Sequence, residues 1–269
     1  PYTNEWAVTV QRNISAFLGA KFIYVNRRSF EQPFAREINL TYDENGKAAF
    51  VKNKAFSSIF YLTNAERRDY QSFEFHLEKL LNRNWELNSN YTYSKSFGVT
   101  EDILGTLGSS SDFTFIPEPG FLDNDQRHQV KISLLNHFPK QQFRLGTAIN
   151  WESGLPFSVL YRYVDPILGP VEGYRGEGRN AYRNSAHWRV DMSFLRDFKF
   201  NRGSAPASLE MRNILNEPFI GNQEAFIDTF STGSVGNRGA GNAGATADVV
   251  RRPFLSFGRE WEFAFKYKY

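Results

Sequence analysis

The sequence predicts an all-β protein: a transmembrane antiparallel β-barrel with long extracellular loops. Three observations predict it. An apolar/polar alternation of period two recurs nine times along the chain. Every tryptophan falls on the apolar parity of its segment. The connections between segments are alternately short and long.

The first segment places Trp6, Val8 and Val10 against Ala7, Thr9 and Gln11. A tight turn is expected near Arg12-Asn13, after which Ala16, Leu18, Ala20, Phe22 and Tyr24 form the second apolar face. Phe73, Phe75 and Leu77 alternate with Glu74, His76 and Glu78. A turn at Asn82-Arg83-Asn84 leads to Trp85, Leu87, Tyr91 and Tyr93, interleaved with Glu86, Asn88, Asn90 and Thr92. Val130, Ile132 and Leu134 follow, and a turn around Pro139 precedes Phe143, Leu145, Ile149 and Trp151. Trp188, Val190, Met192 and Phe194 alternate with Arg189, Asp191 and Ser193; after Asn201-Arg202-Gly203 come Leu209 and Met211. The last strand alternates Trp261, Phe263, Phe265, Tyr267 and Tyr269 with Glu260, Glu262, Ala264, Lys266 and Lys268, and runs unbroken to an aromatic C-terminal residue.

Short turns of about two to six residues follow the first, third, fifth and seventh strands. Long segments, near 26–69, 95–127, 153–186 and 216–253, join the others. Barrels of the outer membrane have short periplasmic turns and long extracellular loops, so the C-terminus is expected in the periplasm. Within the first long segment, Ile38, Leu40 and Tyr42 alternate before Asn45-Gly46, which predicts a hairpin projecting above the membrane. The Gly-, Ala-, Ser- and Asn-rich stretch from Ser231 to Ala247 is expected to be mobile.

Composition agrees and excludes alternatives. Mean hydropathy is −0.50, and no run approaches the roughly 20 apolar residues of a membrane helix. That excludes helical spans but not strands, in which only every second residue meets lipid. Aromatic content is 16%, heavy for a soluble domain. The absence of cysteine excludes disulfides, thiolate metal sites and cysteine nucleophiles. A net charge of +3 is spread over interspersed acids and bases, so no nucleic-acid partner is expected. The chain opens at Pro1 without an initiator Met or a signal peptide, and both first and last strands descend. Closing nine such strands alone would need a parallel seam, so further strands are expected before Pro1.

At this point the sequence resembles the C-terminal barrel of TonB-dependent outer-membrane receptors, most closely the subgroup with an N-terminal carboxypeptidase-regulatory-like domain. The pieces that carry the resemblance are Tyr61-Leu62-Thr63-Asn64-Ala65 leading to Asp69-Tyr70-Gln71-Ser72-Phe73-Glu74, and Asn90-Tyr91-Thr92-Tyr93-Ser94-Lys95. Asp125-Gln126-Arg127-His128, Ser153-Gly154-Leu155-Pro156 and Arg212-Asn213-Ile214-Leu215-Asn216 continue it, and the aromatic C-terminus ends it. The resemblance implies that residues 1–269 are the final nine strands of a barrel of about 22 around a plug. The plug, TonB box and signal peptide have no counterpart in these residues. Implied partners are outer-membrane lipid, the barrel-assembly machinery, the protein's own plug, the TonB complex and an extracellular ligand. The implied function is uptake of a bulky nutrient (a siderophore, oligosaccharide or peptide-like ligand). A passive porin and a surface adhesin are the competing readings.

No catalytic, cofactor or metal residues are assigned. Trp261, Phe263, Phe265, Tyr267 and Tyr269 are read as an assembly signal, recognised by strand addition at an exposed edge. The lumen wall is expected to include Glu74, Glu78, Lys131, Arg144, Glu152, Arg189, Asp191, Glu210, Arg212, Glu260 and Glu262, whose mixed signs argue against an ion-selective pore. Phe113, Phe115, Tyr161, Tyr163, Tyr174, Phe226 and Phe230 are candidate ligand contacts on the loops; packing of the loops against one another explains them equally well. Gly239-Ala240-Gly241-Asn242-Ala243-Gly244 fits G-x-G-x-x-G, but it lacks the flanking apolar strand and helix of a dinucleotide site and reads as loop. His128 near Asp123 and Asp125 admits a water-activating or metal pair, against the plainer reading of a hydrogen-bonded loop-to-strand junction.

Overall fold

The structure is a computed structural model. It describes residues 1–42, 48–56, 59–82, 84–99, 119–165, 169–174, 178–200, 203–217, 225–228 and 258–265. In chain order the strands are β1 (Tyr2–Ser15), β2 (Leu18–Glu37), β3 (Leu40–Tyr42), β4 (Ala48–Val51), β5 (Phe60–Asn82), β6 (Trp85–Gly98), β7 (Gly120–Phe121), β8 (His128–Phe138) and β9 (Phe143–Glu152). They continue with β10 (Pro156–Phe157), β11 (Val159–Asp165), β12 (Gly169–Tyr174), β13 (Tyr182–Arg183), β14 (His187–Phe200), β15 (Gly203–Arg212), β16 (Ala225–Asp228) and β17 (Glu260–Phe265).

The main sheet has the order β1-β2-β5-β6-β8-β9-β14-β15-β17, with β7 added on β6. These nine are the strands the alternation predicts, and each pairs antiparallel with its neighbour. Among the described residues β1 and β17 each pair on one side only. All 14 residues of β1 are exposed for that reason.

Register sorts the side chains into two faces, because successive residues of a strand point to opposite sides. Val10, Phe22, Phe75, Tyr91, Val130, Trp151 and Trp188 lie on one row across seven strands. All five tryptophans share this apolar face; Trp6, Trp85, Trp188 and Trp261 are exposed on it. Ring pairs knit neighbouring strands together, including Tyr24–Phe73 at 4.6 Å, Phe138–Phe143 at 4.3 Å and Trp151–Trp188 at 6.1 Å. In β6 the apolar residues run from Trp85 to Tyr93, a length that suits a membrane-crossing strand of about 9–11 residues.

The short turns all fall at one end. Asn84 takes φ 73° in the β5–β6 turn, a left-handed conformation that asparagine tolerates. Phe200 pairs with Gly203 to close the β14–β15 turn. The first turn differs from expectation. Arg12 and Asn13 belong to the ladder, opposite Ala20 and Gly19, and the chain reverses at Ala16-Phe17, which takes Ala16 off the apolar face.

The first long connection also differs, since most of 26–69 is strand. β2 and β5 stay paired to Glu37↔Phe60, through irregularities between Ser29 and Phe34. β2 has 20 residues and β5 has 23, about twice what a membrane crossing needs, and the excess lies wholly at the end away from the short turns. Above it the expected hairpin is present as β3 paired with β4; its Asn45-Gly46 tip lies outside the described residues. The other long connections form small sheets as well: β10 with β13, and β12-β11-β16. In the latter β11 and β16 run parallel, joining two different loops. The stretch 231–247, with its glycine motif, lies outside the described residues.

Candidate functional site

The polar face of the sheet is the first candidate surface. Glu74, Thr92, Gln129, Glu152 and His187 lie on one row. His76, Asn90, Lys131, Asn150 and Arg189 form the next, and Glu78, Asn88, Ser133, Ala148 and Asp191 the third. An open groove follows the first two rows, lined chiefly by Glu74, His76, Asn90, Thr92, Lys131 and Asn150. Glu74, Glu78, Arg144, Glu152, Arg189, Asp191, Glu210 and Arg212 all fall on this face, opposite in parity to the tryptophans.

Most of these charges are partnered within the sheet. Glu74 Oε2 lies 3.2 Å from His76 Nε2, and Asn90 Nδ2 lies 3.0 Å from His76 Nδ1. Arg189 Nε donates to Asp191 at 3.0 Å. Arg212 reaches Glu210 at 3.3 Å, Glu262 at 3.4 Å and Glu260 at 3.7 Å, tying β15 to β17. Arg144–Asp197 at 3.9 Å and His187–Glu152 at 3.6 Å are looser. Such half-exposed pairs contribute little to stability, about 0–1 kcal/mol each.

The second candidate is a junction where loops fold onto the polar face at the end away from the short turns. Its centre is Asp125, whose side chain has no solvent exposure. The Ser96 amide donates to Asp125 Oδ1 at 2.6 Å, Arg127 Nη2 donates to Oδ2 at 3.0 Å, and Arg183 Nη2 donates to the same oxygen. The local reason is the ladder. β6 and β8 pair up to Tyr93↔His128, and β6 then pairs with β7 at Phe97↔Phe121. Between those points the Asp125 carboxylate takes the place of a strand carbonyl, with Ser94 N–H donating to the Arg127 carbonyl and Leu122 N–H to that of Ser96.

The loop between β9 and β14 locks onto this junction. Arg183 Nη1 donates to the Asp125 carbonyl at 2.8 Å and lies over the Phe121 ring, as does Arg127. Asn180 Nδ2 donates to the Phe121 carbonyl and to Asp123 Oδ1, both at 2.7 Å. The His128 amide donates to Ser153 Oγ at 3.0 Å, and Gln126 Nε2 donates to the Ser153 carbonyl. Gly154 is required here, since a Cβ would overlap the Asn184 carbonyl. Gly120 is nearly as confined, its Cβ position being 2.7 Å from the Arg179 carbonyl.

The junction settles how His128 stands to the acids. Asp123 is held by Asn180 and Asp125 by two arginines, whereas His128 pairs in register with Tyr93 and so lies on the apolar face, its Nδ1 2.9 Å from Tyr91 Oη. Histidine and acids lie on opposite sides of the sheet and form no pair. Sequence reasoning found Asp125 but missed Arg183 and Asn180, which come from a loop more than fifty residues onward.

Of the loop aromatics, Tyr161 and Tyr163 lie in β11, Tyr174 ends β12 and Phe226 lies in β16, so one small sheet brings these four together. Phe113, Phe115 and Phe230 lie outside the described residues. Trp261 and Phe263 are exposed along the sheet edge and Phe265 ends β17; Tyr267 and Tyr269 are outside the described residues.

Comparisons with known proteins agree with this architecture. The family model of the outer membrane beta barrel domain matches residues 1–175. No curated protein matches in sequence. Among solved structures the chain is similar to the outer membrane transporter YddB of Escherichia coli, with 14% identity and TM-score 0.56, covering 99% of this chain and 32% of that one. It is similar to the pyoverdine receptor FpvA of Pseudomonas aeruginosa, at 11% identity and TM-score 0.55, covering 99% and 30%. The siderophore receptor PiuA of Acinetobacter baumannii matches at 10% identity and TM-score 0.53, covering 98% and 28%. The likeness at these identities is one of fold, and the chain spans about a third of those proteins. These matches are to transporters and receptors rather than to enzymes, and YddB and FpvA are outer-membrane proteins. The chain belongs to the outer membrane beta barrel domain family and shares the strand fold of these transporters and receptors.

Proposed function

We propose that the chain is the C-terminal nine-strand part of a TonB-dependent receptor barrel that takes up a bulky nutrient across the outer membrane. The supporting observation is the loop architecture. One end of the sheet has tight turns, while the other carries paired, interlocked loops too structured for simple tethers. Ligand would be captured at that end, which we assign to the cell exterior, with the C-terminus in the periplasm. The aromatics of β11, β12 and β16 would meet the ligand, and Phe113, Phe115 and Phe230 remain candidates beside them. The polar face would be the lumen wall, contacting a plug supplied by other parts of the protein and moved by the TonB complex. β17 would present the signal read by the assembly machinery. Solved barrels of this fold include receptors for pyoverdine and other siderophores, which favours a chelate-sized ligand.

The test is uptake by cells carrying the full-length protein, with labelled ferric siderophores, oligosaccharides and peptides as probes. Uptake of one probe class that stops on loss of TonB or on treatment with a protonophore is expected. Uptake indifferent to both, together with steady conductance in planar bilayers, would refute active transport in favour of a passive pore.

A further inference from the structure

One row of the polar face carries a hydrogen-bond donor on every strand it crosses, and no acid. Gln11, Lys21 and His76 stand in register on β1, β2 and β5. The row continues through Asn90, Lys131, Asn150 and Arg189 on β6, β8, β9 and β14. The acids stand on the flanking rows, Glu74 and Glu152 on one side and Glu78 and Asp191 on the other.

Those acids occupy some of the donors and leave others free. Glu74 engages His76, Asp191 engages Arg189 and Glu152 lies beside His187. Lys21 and Lys131 form no ion pair among the described residues. Lys131 is exposed, with Asn90 and Asn150 on either side of it in register, about 4.8 Å away across the sheet. One N–H of the Asn90 amide serves His76, which leaves the second. The side-chain amides of Gln129 and Asn150 have no partner among the described residues. These donors line a groove of about 600 Å³, within the range of small-molecule sites, about 300–1,000 Å³. Its one uncommitted charge is Lys131, since Glu74 is held by His76. His76 and Asn88 also line a second hollow, which contains Lys21.

We propose that this groove binds a carboxylate of the transported ligand, with the Lys131 ammonium as its charge partner and the amides of Asn90, Gln129 and Asn150 donating to the ligand's oxygens. A carboxylate only accepts hydrogen bonds, and bonds to an ionised acceptor are about twice as strong as neutral ones. A neutral hydroxyl or carbonyl could use the amides but would leave the ammonium to water, and a cation would meet donors alone along this row. Recognition comes from converging hydrogen bonds rather than from a field of one sign, because the acids of the flanking rows lie close by. A groove of this volume takes a whole ligand, where a packed plug would need room for one side chain.

This rests on the polar face being the lumen wall of a transporter, so the experiment reads site and transport separately. In the purified full-length protein, Ser133→Cys puts a thiol in the groove, two residues from Lys131 on the same face. Its modification by sulfonate-bearing and trimethylammonium-bearing methanethiosulfonates is followed by mass spectrometry of the peptide that contains it. The anionic-to-cationic rate ratio should fall about fivefold with Lys131→Gln and hold with Lys131→Arg, as one charge about 7 Å away requires. Protection of the thiol is then measured with matched pairs: oligogalacturonate and its methyl ester, ferric citrate and a neutral ferric trihydroxamate, a peptide and its C-terminal amide. The carboxylated member of one pair should protect about tenfold better than its counterpart, the effect of one charge-assisted hydrogen bond, and Lys131→Gln should erase the difference. Equal protection, or none, within every pair overturns the proposal, and so does a difference that survives Lys131→Gln. A thiol that reacts only after urea loosens the plug means that the plug fills the groove, which also overturns it. The second readout is uptake of the same probes by cells with and without TonB. Charge-dependent protection with TonB-independent uptake refutes active transport and keeps the site. TonB-dependent uptake without charge-dependent protection refutes the site alone.

Discussion

Removing the Asp125 carboxylate with Asp125→Ala should release the loop junction while leaving the strands intact. The carboxylate receives hydrogen bonds from the Ser96 amide and from both Arg127 and Arg183. Hydrogen bonds to a charged group contribute about 1.5–3 kcal/mol each. The arginine side chains keep 18% and 26% exposure, so each recovers part of that by turning to water. The Ser96 amide has no such escape, because it is held in the ladder between Tyr93↔His128 and Phe97↔Phe121. The net cost is about 3 kcal/mol, at the lower end of what breaking a buried ion pair costs. If that cost falls on local opening, amides of the junction should exchange about 150-fold faster, at about 1.4 kcal/mol per decade. Hydrogen–deuterium exchange on the full-length protein reads this directly. Peptides spanning 119–127 and 178–184 should lose protection, while those covering β8 and β9 should not. Asp125→Asn, which keeps an acceptor for Ser96 but loses both charge pairs, should fall between. Unchanged protection at the junction, or a uniform loss across the sheet, would refute the view that Asp125 ties these loops together.

Gly154→Ala should disturb the same loop, because its Cβ meets the Asn184 carbonyl; faster exchange over 178–184 checks it. Phe263→Arg should cost about 2–4 kcal/mol in membrane insertion if this face meets midplane lipid. Glu262→Gln, on the opposite face, should stay within about 0.5 kcal/mol. Equal insertion of the two, judged by heat-modifiable mobility on gels, would show the parity to be wrong. The parallel register of β11 and β16 places Leu160 opposite Phe226. Leu160→Cys/Phe226→Cys should therefore form an intramolecular disulfide on mild oxidation, and failure to cross-link would separate the two loops.

How much was legible in the sequence follows from where each strand stands relative to water. Period two is visible only while one face is apolar. From Trp85 to Tyr93 or from Phe143 to Trp151 the pattern is clear, and the strands lie where it predicts. Beyond Asn26 both faces of β2 carry polar and charged residues, among them Arg27, Arg28 and Gln32. The pairing with β5 persists there while the signal vanishes, so 26–69 reads as a loop. The first turn was misplaced for a related reason. Asn13 is a turn residue by type, yet it pairs with Gly19, and Ala16-Phe17 carries no turn signal of its own. In the candidate site, the parity of each polar-face residue was readable from its neighbours. The partners of Asp125 were not, since Arg183 reaches it across 58 residues of chain and only the fold brings them together.

The arrangement of charge on the polar face bears on how it can select. Glu74–His76, Arg189–Asp191 and Glu210–Arg212 are all pairs two residues apart on one strand. That spacing puts both partners on the same face about 7 Å apart along the backbone, within reach of each other's side chains. Arg189–Asp191 and Glu210–Arg212 each set opposite charges side by side on one strand, so part of the field is cancelled locally rather than by distant groups. An ion-selective pore needs an uncancelled ring of one sign. Here, among the described residues, Lys21, Glu78 and Lys131 of the polar face have no ion-pair partner; the two lysines share a row and Glu78, of opposite sign, lies on the next. If the polar face is the lumen wall we propose, its discrimination must come from shape and hydrogen bonding, to which Asn88, Asn90, Gln129 and Asn150 are suited. Exchanging a whole pair, as in Arg189→Asp with Asp191→Arg, should then leave passage of neutral and anionic probes unchanged. If it altered their ratio, the wall would be acting through its field after all.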